Sequence, residues 1–194
     1  MAIPLSEFLS IEGKYNGIDI DEQCILWAQE NITKKHSNIL FVKADVLNQY
    51  YNPAGKYSPA EYRFPYPDES FDIIFLTSVF THMLPAHMEN YLTEIERVLK
   101  PAGKCLATFF LMNEEALSQV QNDPKSLGIS HNQGTFWTSN PKAPEEVIGF
   151  GEDYIRNLFA QRNLNIDSIF YGSWCNRKNF LSYQDIVIAT KMGK

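Results

Sequence analysis

Apolar residues along the chain alternate between helical spacing and short continuous runs, the pattern of an α/β layered sheet with crossover helices. Ile3, Leu5, Phe8 and Leu9 fall at helical spacing and stop before Gly13. Tyr15 to Ile20 reads as a short strand. Asp21 then stands where a helix N-cap belongs, ahead of Ile25, Ala28 and Ile32 on one face. Asn38 to Asp45 predicts a second strand, with Ile39 to Val42 as its apolar run. Phe71 to Leu76 predicts a third, apolar enough for a strand covered on both faces. The clearest helix opens at Pro85 and carries Met88, Tyr91, Leu92, Ile95, Val98 and Leu99 on one stripe. Glu89, Glu94, Glu96 and Arg97 lie mostly away from that stripe. Pro101 and Gly103 close the helix, and Lys104 to Leu111 follows as a strand. A helix marked by Tyr154, Ile155, Leu158 and Phe159 comes next. Leu164 to Phe170 and Gln184 to Thr190 then read as an antiparallel pair at one edge.

Two stretches lack strong periodicity. Leu47 to Ser70 holds Tyr50, Tyr51, Tyr57, Tyr62 and Tyr66 among prolines, and Asn113 to Phe150 includes Phe136 and Trp137. Long loops of this kind serve either as lids and binding loops or as surface decoration, and the pattern leaves both open. No internal repeat or low-complexity tract divides the chain, so a single domain over residues 1–194 is expected.

Composition narrows the class. With 194 residues, 44% of them hydrophobic, the chain can bury a sizeable core. No apolar run approaches the roughly 20 residues of a membrane helix, and the opening lacks a secretory pattern, so a cytoplasmic address is expected. The net charge of −6 argues against nucleic acid as a partner. Three cysteines, Cys24, Cys105 and Cys175, are too scattered for a disulfide framework or a zinc site. Cys24 and Cys105 lie in apolar stretches and are expected in the core. No metal constellation is evident.

In doubly wound sheets, ligands sit beyond the carboxyl ends of the strands, and three predicted strand ends carry suitable chemistry. Asp19, in Gly17-Ile18-Asp19-Ile20, offers two carboxylate oxygens to a ribose diol. Its competing role, capping the next helix, suits Asp21 better. Asp45, in Lys43-Ala44-Asp45-Val46, is either an ordinary turn aspartate or the acceptor for an exocyclic adenine amine, with Ile20 and Val46 as apolar walls. The third tip, Leu76 to Met83, offers the hydroxyls of Thr77 and Ser78 to the amino-acid end of a cofactor. His82 there either faces substrate or serves structure. Tyr50, Tyr51, Trp137 and Trp174 either line an acceptor pocket or pack as core and lid.

The order and spacing of these tips carry more information than any one alone. Tyr-Asn-Gly-Ile-Asp-Ile, Val-Lys-Ala-Asp-Val, Phe-Pro-Tyr-Pro-Asp-Glu-Ser-Phe-Asp-Ile-Ile-Phe and Tyr-Leu-Thr-Glu-Ile-Glu-Arg-Val-Leu-Lys-Pro-Ala-Gly-Lys together resemble the class I S-adenosylmethionine-dependent methyltransferase superfamily, in detail over residues 2–112. Ala102 stands where the family usually has a glycine. The resemblance implies a Rossmann-like, doubly wound, mostly parallel sheet with an antiparallel C-terminal edge. It also implies S-adenosyl-L-methionine as cofactor and methyl transfer to an acceptor, expected to be a small molecule. By the family pattern, Asp19 holds the ribose, Asp45 the adenine amine, Ile20 and Val46 the ring, and Thr77 and Ser78 the methionine portion.

One departure stands out. The family opens with an apolar strand and a Gly-rich turn, whereas here Met1 falls inside what would be the first helix. A central strand burying about four apolar side chains, at about 2 kcal/mol each, matters against a whole-domain stability of about 5–15 kcal/mol. The expectation is therefore a truncated reading frame or a sheet completed by another chain, self-association included. A non-catalytic interaction module, an inactive fragment and a dinucleotide-binding dehydrogenase domain are the competing readings.

Overall fold

A computed structural model describes residues 2–10, 12–122 and 127–193. The chain divides into two compact units, Met1–Tyr62 and Arg63–Lys194.

In the first unit, helix α1 (Ala2–Phe8) precedes strand β1 (Tyr15–Asp19), helix α2 (Glu22–Ala28) with a π-helical turn Gln29–Thr33, and strand β2 (Ile39–Lys43). β1 and β2 pair in parallel, Tyr15 opposite Ile39 and Asp19 opposite Lys43. Asp21 caps α2 as expected, accepting from the backbone N–H groups of Gln23 at 2.8 Å and Cys24 at 3.2 Å. Those bonds, the one from Cys24 foremost, hold the Asp21 carboxyl below its ordinary pKa. Ala28, Ile32 and Ile39 form the buried core here, with Leu9, Tyr15 and Phe41 packed on it. Alternation along a strand puts Ile18, Leu40 and Val42 on the opposite face, where all three are exposed. Cys24 is exposed, correcting its expected place in the core. On a 3.6-residue period the buried stripe runs through Ile25, Ala28 and Ile32, and Cys24 falls beside it.

In the second unit, strand β3 (Phe71–Leu76), helix α3 (Pro85–Val98) and strand β4 (Leu99–Phe109) form a parallel crossover. The α3 stripe is buried through Met88, Tyr91, Leu92, Ile95 and Val98. Glu94 is buried as well, against expectation. Its carboxylate accepts from Arg97 Nη2 at 2.6 Å, and the Arg97 guanidinium also donates to the carbonyls of Phe64 and Tyr66 and to Asp68. The pair thus pins the 64–68 segment to α3. Strand β4 starts earlier than the sequence predicts because pairing resumes at once after the helix, Phe71 with Leu99. The ladder then jumps to Ile73 with Lys104, so residues 100–103 bulge from it.

The chain continues as β5 (Leu111–Met112), α4 (Glu114–Asn122), β6 (His131–Asn132), β7 (Phe136–Thr138) and β8 (Ile148–Gly151). The aperiodic 113–150 stretch thus contains a helix and most of a small sheet ordered β5-β8-β7-β6, whose strand β5 precedes it. Two- to four-residue strands are too short to show a period, which is why the sequence hid them. Helix α5 (Glu152–Gln161) leads into β9 (Leu164–Phe170) and β10 (Asp185–Lys191). The main sheet runs β3-β4-β10-β9, with β10 antiparallel to both neighbours. The expected antiparallel C-terminal edge is present.

One expectation about β3 fails. Ile73 is 65% exposed, so the strand is not covered on both faces. Among the described residues, β3 ends the order of its sheet and pairs with β4 alone, which leaves its second edge without a strand partner there.

Candidate functional site

Parallel pairing puts the ends of β1 and β2 at the same side of their sheet, and that decides where Asp19 and Asp45 go. Asp19 closes β1 opposite Lys43, and its carbonyl accepts from Ala44 N–H at 2.8 Å. Asp45 lies two residues beyond Lys43, so both carboxylates stand at the C-terminal end of the pair. Asp19 is exposed and Asp45 half-buried. Asp19 Oδ1 accepts from Asp21 N–H at 2.9 Å, which orients the carboxylate without saturating it.

The loop after β2 is built around Asp45. Its carbonyl accepts from Lys56 N–H at 3.1 Å and Tyr57 N–H at 3.0 Å, and its carboxylate lies 3.6 Å from Lys56 Nζ. Gly55 is required there, because a Cβ would sit 2.4 Å from the Val46 carbonyl carbon. Asn52 Nδ2 donates to the Val46 carbonyl at 2.9 Å, closing the loop. Val46, expected as an apolar wall, is only 2% exposed and presents almost no surface to a ring, since Tyr57 pairs across it. Ile20 is half-buried and keeps surface for that role. Tyr50 and Tyr51 are exposed. The fit to an adenosyl group is therefore good at Asp19 and Ile20, and needs Asp45 to exchange its Lys56 contact.

In the second unit, Thr77 and Ser78 follow β3 directly and are both exposed. Ser78 adopts a left-handed backbone, φ +56°. Its N–H donates to Thr108 Oγ1 at 2.8 Å, and its Oγ donates to Gln184 Oε1 at 3.1 Å. Sequence reasoning singled out neither partner. Thr108 hides within an apolar strand, and Gln184 comes from a segment 106 residues away.

A 3-10 turn, Phe80–His82, packs next, with Phe80 stacked on Phe109 at 5.2 Å. His82 is half-buried, and its Nδ1 lies 3.1 Å from the Glu145 carbonyl, which requires Nδ1–H to be the donor. His82 thereby ties the turn to the inserted segment, a structural duty that weakens its case as a catalytic group. His87 Nδ1 lies 3.4 Å from Glu145 Oε1 in the same contact.

Trp174 is core. It is 2% exposed, and its Nε1 donates to Asp185 at 2.8 Å. Asp185 is fully buried. It also accepts from Leu111 N–H at 2.7 Å, Gly172 N–H at 2.6 Å and Arg177 Nη1 at 3.2 Å. Burial pushes its carboxyl pKa up, and these bonds offset only part of the rise. Burial likewise pushes the Cys105 thiol up to about 12, leaving it inert at neutral pH. Among the described residues no group of three or more His, Cys, Asp or Glu could hold a metal ion, and no helix is long and apolar enough to cross a membrane.

Residues 3–107 match the methyltransferase domain family over more than half of the chain. The chain belongs to that family. It is a member of the class I S-adenosylmethionine-dependent methyltransferases, whose cofactor is S-adenosyl-L-methionine. A dehydrogenase reading is thereby set aside. Solved structures agree on the fold. A SAM-dependent methyltransferase from Methanosarcina mazei is 18% identical with a TM-score of 0.64, covering 100% of this chain and 88% of that one. One from Aquifex aeolicus is 19% identical with a TM-score of 0.58, covering 98% and 76%. The 1,6-didemethyltoxoflavin-N1-methyltransferase of Burkholderia thailandensis, solved with 1,6-didemethyltoxoflavin and S-adenosylhomocysteine, is 14% identical with a TM-score of 0.53, covering 92% and 61%.

Proposed function

We propose that this methyltransferase transfers the methyl group of S-adenosyl-L-methionine to a small-molecule acceptor. The observation that carries the reading is the placement of Asp19 and Asp45 at one end of the parallel β1–β2 pair, neither sealed in the core. The Burkholderia relative's small ligand and the net charge of −6 favour a small molecule over nucleic acid as acceptor.

The cofactor supplies a methyl group on a sulfonium, already a good leaving group. The chain's part is to bind and orient. Asp19 accepts from the ribose hydroxyls with its carboxylate pre-set by Asp21 N–H. Ile20 lies against the ring, and Asp45 accepts from the adenine amine in place of Lys56. His82 holds the turn after β3 in place through Glu145. Positioning and exclusion of water are sufficient catalysis for a single displacement, so no acid–base triad is required. Titration calorimetry with S-adenosylhomocysteine tests this. Micromolar binding that Asp19→Ala weakens by about tenfold to a hundredfold supports it, and a silent titration of the unaltered chain overturns it.

A second reading rests on Ile73. An apolar residue 65% exposed on a strand with an open edge is suited to cover by another strand. We propose that a second copy of the chain completes the sheet there, or that the fold acts through this edge as an interaction module. Sedimentation analysis is the test: a monomer at micromolar concentration with a sharp cooperative melt overturns it.

A further inference from the structure

Ser78 is a serine in a conformation that favours glycine, φ +56°, on the turn that leaves β3. Such a backbone persists only where its surroundings over-determine it, and strain of this kind clusters at ligand clamps. Here two groups from different elements grip it. Thr108, 6% exposed on β4, follows Ala107, the residue paired with Leu76. The parallel register thus brings its Oγ1 alongside the strand tip to accept the Ser78 N–H at 2.8 Å. From the other side, Gln184 Oε1 accepts the Ser78 Oγ–H at 3.1 Å.

Gln184 stands next to an anchored residue. The next residue is Asp185, fully buried, whose carboxylate takes hydrogen bonds from two backbone N–H groups, the Trp174 indole and Arg177. That anchor holds the backbone from which the Gln184 side chain reaches Ser78. Ser78 is thus held by one bond to its backbone and one to its side chain.

We propose that Thr108 and Gln184 are positioning residues. They hold the Ser78 backbone in its left-handed turn and so set the direction in which the Thr77 and Ser78 hydroxyls face a ligand at the C-terminal end of β3. This rests on the cofactor reading above. Thr108→Val removes the acceptor at nearly constant volume, Thr108→Ser keeps it, and Gln184→Met removes the second grip.

The first measurement is amide hydrogen exchange at residue 78 in the full, ligand-free chain, followed by NMR. Exchange about tenfold faster in Thr108→Val, with Thr108→Ser unchanged, is expected from loss of the amide's own hydrogen bond, and a smaller acceleration in Gln184→Met from loss of the hydroxyl's partner. The second is the affinity for S-adenosylhomocysteine, expected to weaken about tenfold in Thr108→Val and to return in Thr108→Ser. Unchanged exchange at residue 78 overturns the clamp, whatever the titration reads. Faster exchange with unchanged affinity overturns its role toward the ligand. An unaltered chain that binds no S-adenosylhomocysteine overturns the cofactor reading and the ligand half of this proposal with it, while the exchange data still decide the clamp.

Discussion

Ala102 occupies the bulge near the start of β4 with φ +63°. An L-residue in the left-handed region costs about 1–2 kcal/mol, because Cβ crowds the following carbonyl oxygen. Glycine escapes that cost but loses about 0.4–1 kcal/mol through its freer unfolded chain. Ala102 is exposed, so removing its methyl group forfeits almost no burial. The difference predicts that Ala102→Gly stabilises the chain by about 0.5–1 kcal/mol. In a protein of this size, that raises the melting temperature by about 1–4 °C. Ala102→Val should move the other way, since a β-branched side chain tolerates positive φ least. Gly103 next to it has no such latitude: a Cβ there would lie 2.8 Å from the Lys100 carbonyl oxygen. Calorimetric melts of the three chains are the assay. Equal melting temperatures for the glycine and alanine chains, or a lower one for glycine, would refute the argument from the backbone angle.

The buried Arg177–Asp185 pair gives a larger effect. Asp185→Ala should cost about 3–5 kcal/mol by leaving the buried Leu111 N–H, Gly172 N–H and Trp174 indole N–H without their acceptor and halving the ion pairing of Arg177, which keeps only Glu115, read as a reduced denaturation midpoint, and a loss under 1 kcal/mol would contradict the burial. Asp19→Ala should weaken S-adenosylhomocysteine binding by about tenfold to a hundredfold, the worth of hydrogen bonds to a charged group, with the melting temperature unchanged because the side chain is exposed. Burial pushes the Glu94 carboxyl up, but the bonds from Arg97 and the Phe64 N–H outweigh it and hold the group below its ordinary pKa; at Asp68 the Arg97 bond comes first and acts the same way. A depressed carboxyl stabilises the fold above its unfolded pKa and loses that contribution as pH falls through the folded one. Stability should thus decline below about pH 4.5, less steeply in Glu94→Gln, and equal slopes in a pH series of urea melts would count against the clamp.

Much of the frame was legible along the chain because it rests on local periodicity. The α3 stripe and the Asp21 cap each depend on residues a few positions apart, and β9 and β10 are each marked by an apolar run of their own. The strand tips bearing Asp19 and Asp45 follow from where apolar runs stop, and parallel pairing then sends both to one side. What lay beyond the sequence was every feature set by distant partners. Cys24 and Glu94 exchanged their expected surroundings, since burial depends on which face meets a neighbour. The inserted β5-β8-β7-β6 sheet has strands too short for a period. The grip of Thr108 and Gln184 on Ser78 spans 30 and 106 residues of chain. Hydrophobic periodicity reports one element's own faces, whereas hydrogen bonds between remote polar side chains exist only once the strands are laid side by side.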